Sequence, residues 1–360
     1  MSKLGDLGNR LYRGEVSYDF VGRRRVWYIV SAVFLTLSIG TLAIAGLNLG
    51  IEFKGGAQYT VTVSNADTGD IVTARKAVEA AGETAASVTI VGQDKLRIQT
   101  PTLTAEESTT VTNSLAKAFD VEQSSVTSQM VGPTWGAEVS KNAARALVVF
   151  LVFVAIFLAV YFEPPMALAA LIALAHDVLI TVGIYALVGF EVTPATVTGF
   201  LTILGYSLYD TVVVFDKVKE NTTGLLSGSR MTYREAANLA LNQTLVRSIN
   251  TSLVALLPVF AILSVGILYL GPGTLNDLAL ALFVGMLVGA YSSIFIATPI
   301  LVQFKERNAA VRAQANRVES RRKNAGAEVS TATLVESSKG VVTGARQQRV
   351  KRSRSSRSGK

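Results

Sequence analysis

Apolar residues run almost unbroken through six stretches of the chain, approximately Val26 to Leu47, Ala144 to Phe162, Met166 to Phe190, Val192 to Phe215, Ser248 to Leu270 and Leu275 to Phe304. A hydrocarbon core of about 30 Å takes about 20 helical residues, so each stretch meets or approaches the length of a membrane-spanning helix. The second is short. Lys141 and Arg145 can snorkel at one of its ends, and Glu163-Pro164-Pro165 stops it at the other. The first follows Arg23-Arg24-Arg25 and ends in Ala43-Ile44-Ala45, the outline of a signal peptide. Its apolar part exceeds the about 7 to 15 residues usual for such a segment and more spans follow, so an uncleaved helix is the preferred reading.

Between the first two spans the pattern changes from continuous to alternating. From about Asn48 to Asn142 it reads strand (Gln58 to Val63), helix (Asp70 to Ala81), strand (Ser87 to Val91), strand (Lys95 to Thr100), helix (Thr104 to Phe119) and strand (Gln123 to Val131). Thr104-Ala105-Glu106-Glu107 has the form of a capping box, with Glu107 at the third helical position. The βαββαβ order suggests a ferredoxin-like split unit, weakest at the polar run Ser124-Ser125-Val126-Thr127-Ser128. The expected fold class is a polytopic α-helical membrane protein with six transmembrane helices and an external α+β domain between the first two.

Composition agrees. Half of the 360 residues are apolar and 17% are charged, and the mean hydropathy is +0.40, values too greasy and charge-poor for an ordinary soluble domain. The absence of cysteine excludes disulfides, thiolate catalysis and Cys-bearing zinc sites, and His176, the one histidine, cannot build a multi-histidine metal site. No G-x-x-x-x-G-K-[ST] occurs, so nothing supports ATP hydrolysis as an energy source. No cofactor is expected and the chain is not read as an enzyme.

The net charge of +8 is unevenly placed. Six Lys and Arg precede the first span, five lie between Asp216 and Arg247, and fifteen follow Phe304. The other eight fall between Lys54 and Arg145, mostly in a segment long enough to be exported regardless of charge, which puts both termini in the cytoplasm. The expected divisions are a basic amino-terminal segment (1–25), the first span (26–47), the external domain (48–142), spans two to six (143–304) and a basic, disordered cytoplasmic tail (305–360). The tail ends in RQQRVKRSRSSRSGK and carries only four acids. It reads as a tag for anionic lipid, with the ribosome as the sharper alternative.

Ionisable groups inside a span cost about 2.5 to 3.5 kcal/mol each on insertion scales, so each needs a reason. Asp177 with neighbouring His176 lies in the third span, Asp210 in the fourth, and Arg247 opens the fifth. Asp210 lies about seven residues from the cytoplasmic end of its span, roughly 10 Å deep. Arg247 enters antiparallel from the same side, and its long stem makes an ion pair with Asp210 geometrically plausible. Burial favours the neutral acid and a guanidinium the charged one, a balance that lets a small movement switch protonation. His176 and Asp177 can relay protons, or simply make a hydrogen-bonded helix contact. Gly205, Tyr206 and Ser207, with Gly199 and Thr202, thin the helix around Asp210 and supply hydroxyls. Gly285 and Gly289 form a G-x-x-x-G whose default meaning is close helix packing.

These residues carry a family resemblance. GYSLYDTVVVFDKVKEN (Gly205 to Asn221) resembles the fourth-span signature of SecF proteins, the smaller integral subunits of the SecD–SecF protein-export complex, and GIEFKGG, with Gly50, Glu52, Gly55 and Gly56, resembles that family's entry into its external domain. AHDVLIT (Ala175 to Thr181) and NQTLVRSINTSL (Asn242 to Leu253) are similar to it as well. The resemblance implies an auxiliary translocase subunit in the bacterial plasma membrane, one half of an RND-type unit, which uses the proton motive force to help draw exported chains from the SecYEG channel. It implies SecD as the other half, the translocating polypeptide as substrate, YajC and YidC as further candidate partners, and roles in proton movement at Asp210 and Arg247. The family pattern leads one to expect Asn at Tyr209, Asp at Glu52 and Arg at Lys217 and Lys219. Two other readings stay open: a proton-coupled transporter of small molecules or lipids, and a structural scaffold for the channel.

Overall fold

The computed structural model describes residues 17–83, 86–228, 230–270 and 273–325. From its start the described chain forms α1 (Arg24–Ala45), β1 (Asn48–Leu49), a single turn α2 (Ile51–Lys54), β2 (Gly56–Thr62), α3 (Thr68–Ala80), β3 (Ser87–Val91), β4 (Lys95–Thr100), α4 (Ala105–Ala118) and β5 (Val126–Val131). It continues through α5 (Pro133–Tyr161), α6 (Pro164–Val188), β6 (Glu191–Val192), α7 (Pro194–Thr222), α8 (Tyr233–Val265), α9 (Thr274–Ser292), α10 (Thr298–Lys305) and α11 (Ala309–Ala325). A π-helical segment, Ser293–Ala297, joins α9 to α10 in one long helix. Six helices among the described residues are long and apolar enough to cross a membrane.

The helices pack around α6, which buries Ala169, Ala170, Ala173 and Leu174 against Leu204, Val214 and Phe215 of α7, Ala240 and Leu241 of α8 and Leu301 of α10. Small residues bring α9 close to α7. A Cβ on Gly285 would lie 2.3 Å from Ile203 Cδ1, and one on Gly289 would lie 2.9 Å from Ser207 Cβ. Both are closer than atoms can approach, so these positions take glycine for contact.

Between α1 and α5 lies an antiparallel sheet in the order β3-β4-β2-β5. Alternation sorts its residues. Ala57, Tyr59, Val61, Leu96 and Ile98 pack against Ala74 and Val78 of α3 and Val111 and Leu115 of α4, whereas Gln58, Thr60, Arg97 and Gln99 point to the opposite face. Both helices begin at capping boxes, Asp67 with Asp70 and Thr104 with Glu107. The turn α2 ends in two glycines with positive φ, 77° at Gly55 and 139° at Gly56. A Cβ on Gly55 would come 2.9 Å from Pro133 Cα at the start of α5, so chain path and packing both select glycine there.

Three sequence expectations need correction. The last strand is shorter, because Gln123–Ser125 form a 3₁₀ turn and only from Val126 does an inward apolar residue meet the core. Helices α5, α7 and α8 outrun their apolar stretches, so the second span is not short: α5 begins at Pro133, before the expected end of the external domain at 142. The start of α8 is set by the Thr232–Glu235 capping box, and its polar first turns still bury Ala236, Ala237 and Ala240. Finally, the segment from 305 onward is not disordered throughout. Helix α11 buries Val311, Gln314 and Val318, while Arg322 pairs with Glu235 at 2.6 Å and Gln314 donates to the Met231 carbonyl at 2.8 Å. The basic end RQQRVKRSRSSRSGK, with its lipid or ribosome reading, and residues 1–16 lie outside the described residues.

A buried carboxylate site between the helices

Asp210 sits on the inner face of α7 and is 5% exposed. Ser248 Oγ of α8 donates to its Oδ1 at 2.6 Å, and Ser293 Oγ of the π segment donates to its Oδ2. The expected ion pair with Arg247 is not made. Arg247 is exposed and donates to Tyr209 Oη at 3.3 Å. Successive helical residues are rotated by about 100° from one another. With Ser248 facing Asp210, its neighbour Arg247 must face away, and it meets Tyr209, which has turned away from Asp210's side of α7 in the same manner.

The second acid is more deeply enclosed. Asp177 is 1% exposed. It faces His176 Nδ1 at 3.1 Å and accepts from Ser207 Oγ at 2.5 Å. On the far side of the ring, His176 Nε2 lies 3.1 Å from Ser31 Oγ of α1, which lies 3.1 Å from Tyr291 Oη of α9. Tyr291 Oη in turn donates to the Trp27 carbonyl at 3.3 Å. Ser207 and Asp210 are three residues apart on α7, one helical turn, so the two clusters adjoin.

Hydroxyls are suited to such a place. Each can donate to a carboxylate and can accept from a carboxylic acid, so Asp210 finds partners in either protonation state without a change of side chains. The site departs from regular helix at Ser293, and π segments often occur where a helix carries function.

The other residues singled out in the sequence divide by location. Ser207 belongs to the site, holding Asp177. Tyr206 packs with Val259, Ala279 and Met286, and Gly205 faces open space, which corrects the expectation that it thins a buried contact. Gly50, Glu52, Gly55 and Gly56 lie at the joint between α1, the sheet and α5, where Glu52 Oε2 is buried without a hydrogen-bond partner among the described residues. The roles of Ser248, Ser293, Ser31 and Tyr291 around the two acids were not anticipated. The signal for them was the need of any buried carboxyl for donors. No group of three or more metal-ligating side chains converges among the described residues.

Six apolar helices that keep two carboxyl groups buried among hydroxyls, with an α/β unit between the first two, define a polytopic helical membrane protein. Residues 110–307 match the family described as "Protein export membrane protein SecD/SecF, C-terminal", and residues 40–67 match the SecD/SecF GG motif. The chain is 50% identical over 332 residues to the protein translocase subunit SecF of Streptomyces coelicolor, covering 92% of this chain and 88% of that one. It is 44% identical over 348 residues to the SecF subunit of Mycobacterium leprae, covering 90% and 74%. A crystal structure of SecDF from Thermus thermophilus, described as a translocon-associated membrane protein, superposes with a TM-score of 0.72 at 33% identity. That match covers 81% of this chain and 39% of the longer SecDF chain. The chain belongs to the SecF family of SecD/SecF protein-export membrane proteins.

Proposed function

We propose that this chain is an auxiliary subunit of the protein translocase that couples the proton motive force to late steps of protein export. The observation that carries the proposal is Asp210, a buried carboxyl held by the hydroxyls of Ser248 and Ser293 while Arg247, the expected basic partner, binds elsewhere. Holding an uncompensated carboxylate in such surroundings is costly, and the cost has a purpose if the charge is gained and lost during work. Moving one charge through 100 mV supplies about 2.3 kcal/mol, enough to bias a two-state equilibrium by tens of fold.

In this reading a proton reaches Asp210, its hydroxyl turns from acceptor to donor toward one serine, and the contacts of α7 with α8 and the π segment re-form. Asp177 and His176 serve as a second carrier one turn away. Both termini lie in the cytoplasm, the membrane is the bacterial plasma membrane, and the α/β unit is an external, ferredoxin-like domain. The strand order, in which each βαβ half is split by one strand of the other, supports that last assignment. SecD is the partner half. Support comes from the resemblance to the longer SecDF chain and from the outer face of α7 and α8, where exposed Thr202, Tyr209 and Arg247 make a surface poorly suited to lipid. The SecYEG channel and the translocating polypeptide complete the assembly.

The test is gradient-stimulated export in membrane vesicles containing Asp210→Asn together with SecD and the channel. The variant is expected to assemble normally and to lose the stimulation. Unchanged stimulation removes the mechanism.

A further inference from the structure

The α/β unit meets the helices through a built joint. Helix α6, which carries Asp177, ends at Val188, and α7, which carries Asp210, begins at Pro194. Glu191 lies midway in the short connection. Its backbone is fixed on both sides: β6 pairs in parallel with β1, Asn48 opposite Glu191, and Gly50 N donates to the Val192 carbonyl at 2.9 Å. Thr193 then caps α7 through a capping box with Thr196.

From this tether the Glu191 side chain reaches the open face of the sheet. It forms an ion pair with Arg97 of β4 and accepts from Gln99 Nε2 of the same strand at 2.6 Å, and Gln99 also donates to Gln58 Oε1 of β2 at 3.0 Å. The side chains of Arg97 and Glu191 are only 13% and 10% exposed. Gly50 leaves the needed room, since a Cβ there would lie 3.1 Å from Glu191 Oε1 and 2.5 Å from Glu52 Oε2.

We infer that Arg97 and Glu191 are positioning residues that transmit movement of α6 and α7 to the α/β unit. The inference rests on the proton-coupled reading of Asp210 and Asp177 and adds the route by which it becomes mechanical work. Three features favour transmission over mere attachment. Glu191 is tied within three residues to the ends of both acid-bearing helices, so a shift of either helix moves its carboxylate directly. The contact falls on β4, one of the two central strands of the sheet, and Gln99 hands it on to Gln58 of the other, so that their hydrogen bonds carry a pull into the whole unit. A nearly buried ion pair resists separation, because parting it strands an uncompensated charge, so it acts as a stiff link.

A labelling experiment tests this on the full chain reconstituted with its partner. The chain has no native cysteine, so Thr60→Cys places one thiol beside Arg97 on the open face, its opposite residue in β2. Maleimide labelling of that thiol is followed with and without an imposed proton gradient. The carboxyl response of Asp210 is read in parallel from the infrared band that Asp210→Asn removes. The inference predicts that the gradient changes the labelling rate several-fold, and that Arg97→Gln or Glu191→Gln abolishes the change while the carboxyl response persists. The swapped pair Arg97→Glu with Glu191→Arg is expected to restore it. Gradient-dependent labelling that persists in Arg97→Gln, or labelling insensitive to the gradient while the carboxyl responds, overturns the link alone. A carboxyl that never responds overturns the proton reading and the link with it.

Discussion

Arg247 donates to Tyr209 Oη at 3.3 Å on the outside of the very helices whose inside joins their neighbours Ser248 and Asp210. The tyrosine that departs from the family's expected asparagine therefore does not disturb the carboxyl site from within. It gives the arginine a partner on the outer face.

A double-mutant cycle on Tyr209→Phe and Arg247→Gln measures that bond. Tyr209 is 50% exposed, so the coupling energy is expected to be about 0.5 to 1 kcal/mol in unfolding of the detergent-solubilised chain. Additive losses would show that the two side chains do not interact.

Inside, Ser248→Ala and Ser293→Ala each remove one donor from Asp210. Each is expected to cost about 1 to 3 kcal/mol, and the double substitution more than the sum, because the second removal leaves the carboxyl without its serines. In an Asp210→Ala background both serine substitutions should become nearly neutral. Equal costs in the two backgrounds would mean that the serines act on packing alone.

The contrast between these two pairs shows what the sequence could tell and what it could not. Membrane cost alone drew attention to Asp210, Asp177 and Arg247, since a charged residue in an apolar run is conspicuous. Which way a residue faces is not. Arg247 and Ser248 are adjacent, only one of them can face α7's acid, and the serine is ordinary in a membrane helix until its neighbours are placed. The six spans were legible because their apolar runs have the length a bilayer demands. Helix α11 was not, because its buried stripe among the described residues is Val311, Gln314 and Val318 within a strongly charged segment. The link from Glu191 to Arg97 joins residues 94 apart and left no local pattern.

Close approach of α9 to α7 is checked by Gly285→Ala. Its Cβ would collide with Ile203, and overpacking of this kind is expected to destabilise by about 1 to 3 kcal/mol. Adding Ile203→Ala removes the three atoms in the way and should recover part of the loss. No recovery would indicate that the backbone of α9, rather than that side chain, is what cannot move.

In the α/β unit, the amide and hydroxyl of Thr104 donate to the Glu107 carboxylate and hold its pKa below the usual carboxylate range. A pKa lowered by folding contributes stability that is present above the unfolded value and is lost as pH falls through the folded one. The protection factor at the start of α4, measured against the intrinsic amide exchange rate at each pH, should therefore fall on acidification through that window. In Thr104→Ala it should already be low near neutrality and change less. An acid response identical in the two chains would assign it to other carboxylates.

The central claim is that the charge on Asp210 is gained and lost during work. Infrared difference spectroscopy of the reconstituted chain with its partner half, as a proton gradient is imposed and collapsed, addresses it most directly. The account predicts a protonated-carboxyl band that appears and disappears with the gradient and is missing in Asp210→Asn. A band that stays constant, or never forms, would contradict it.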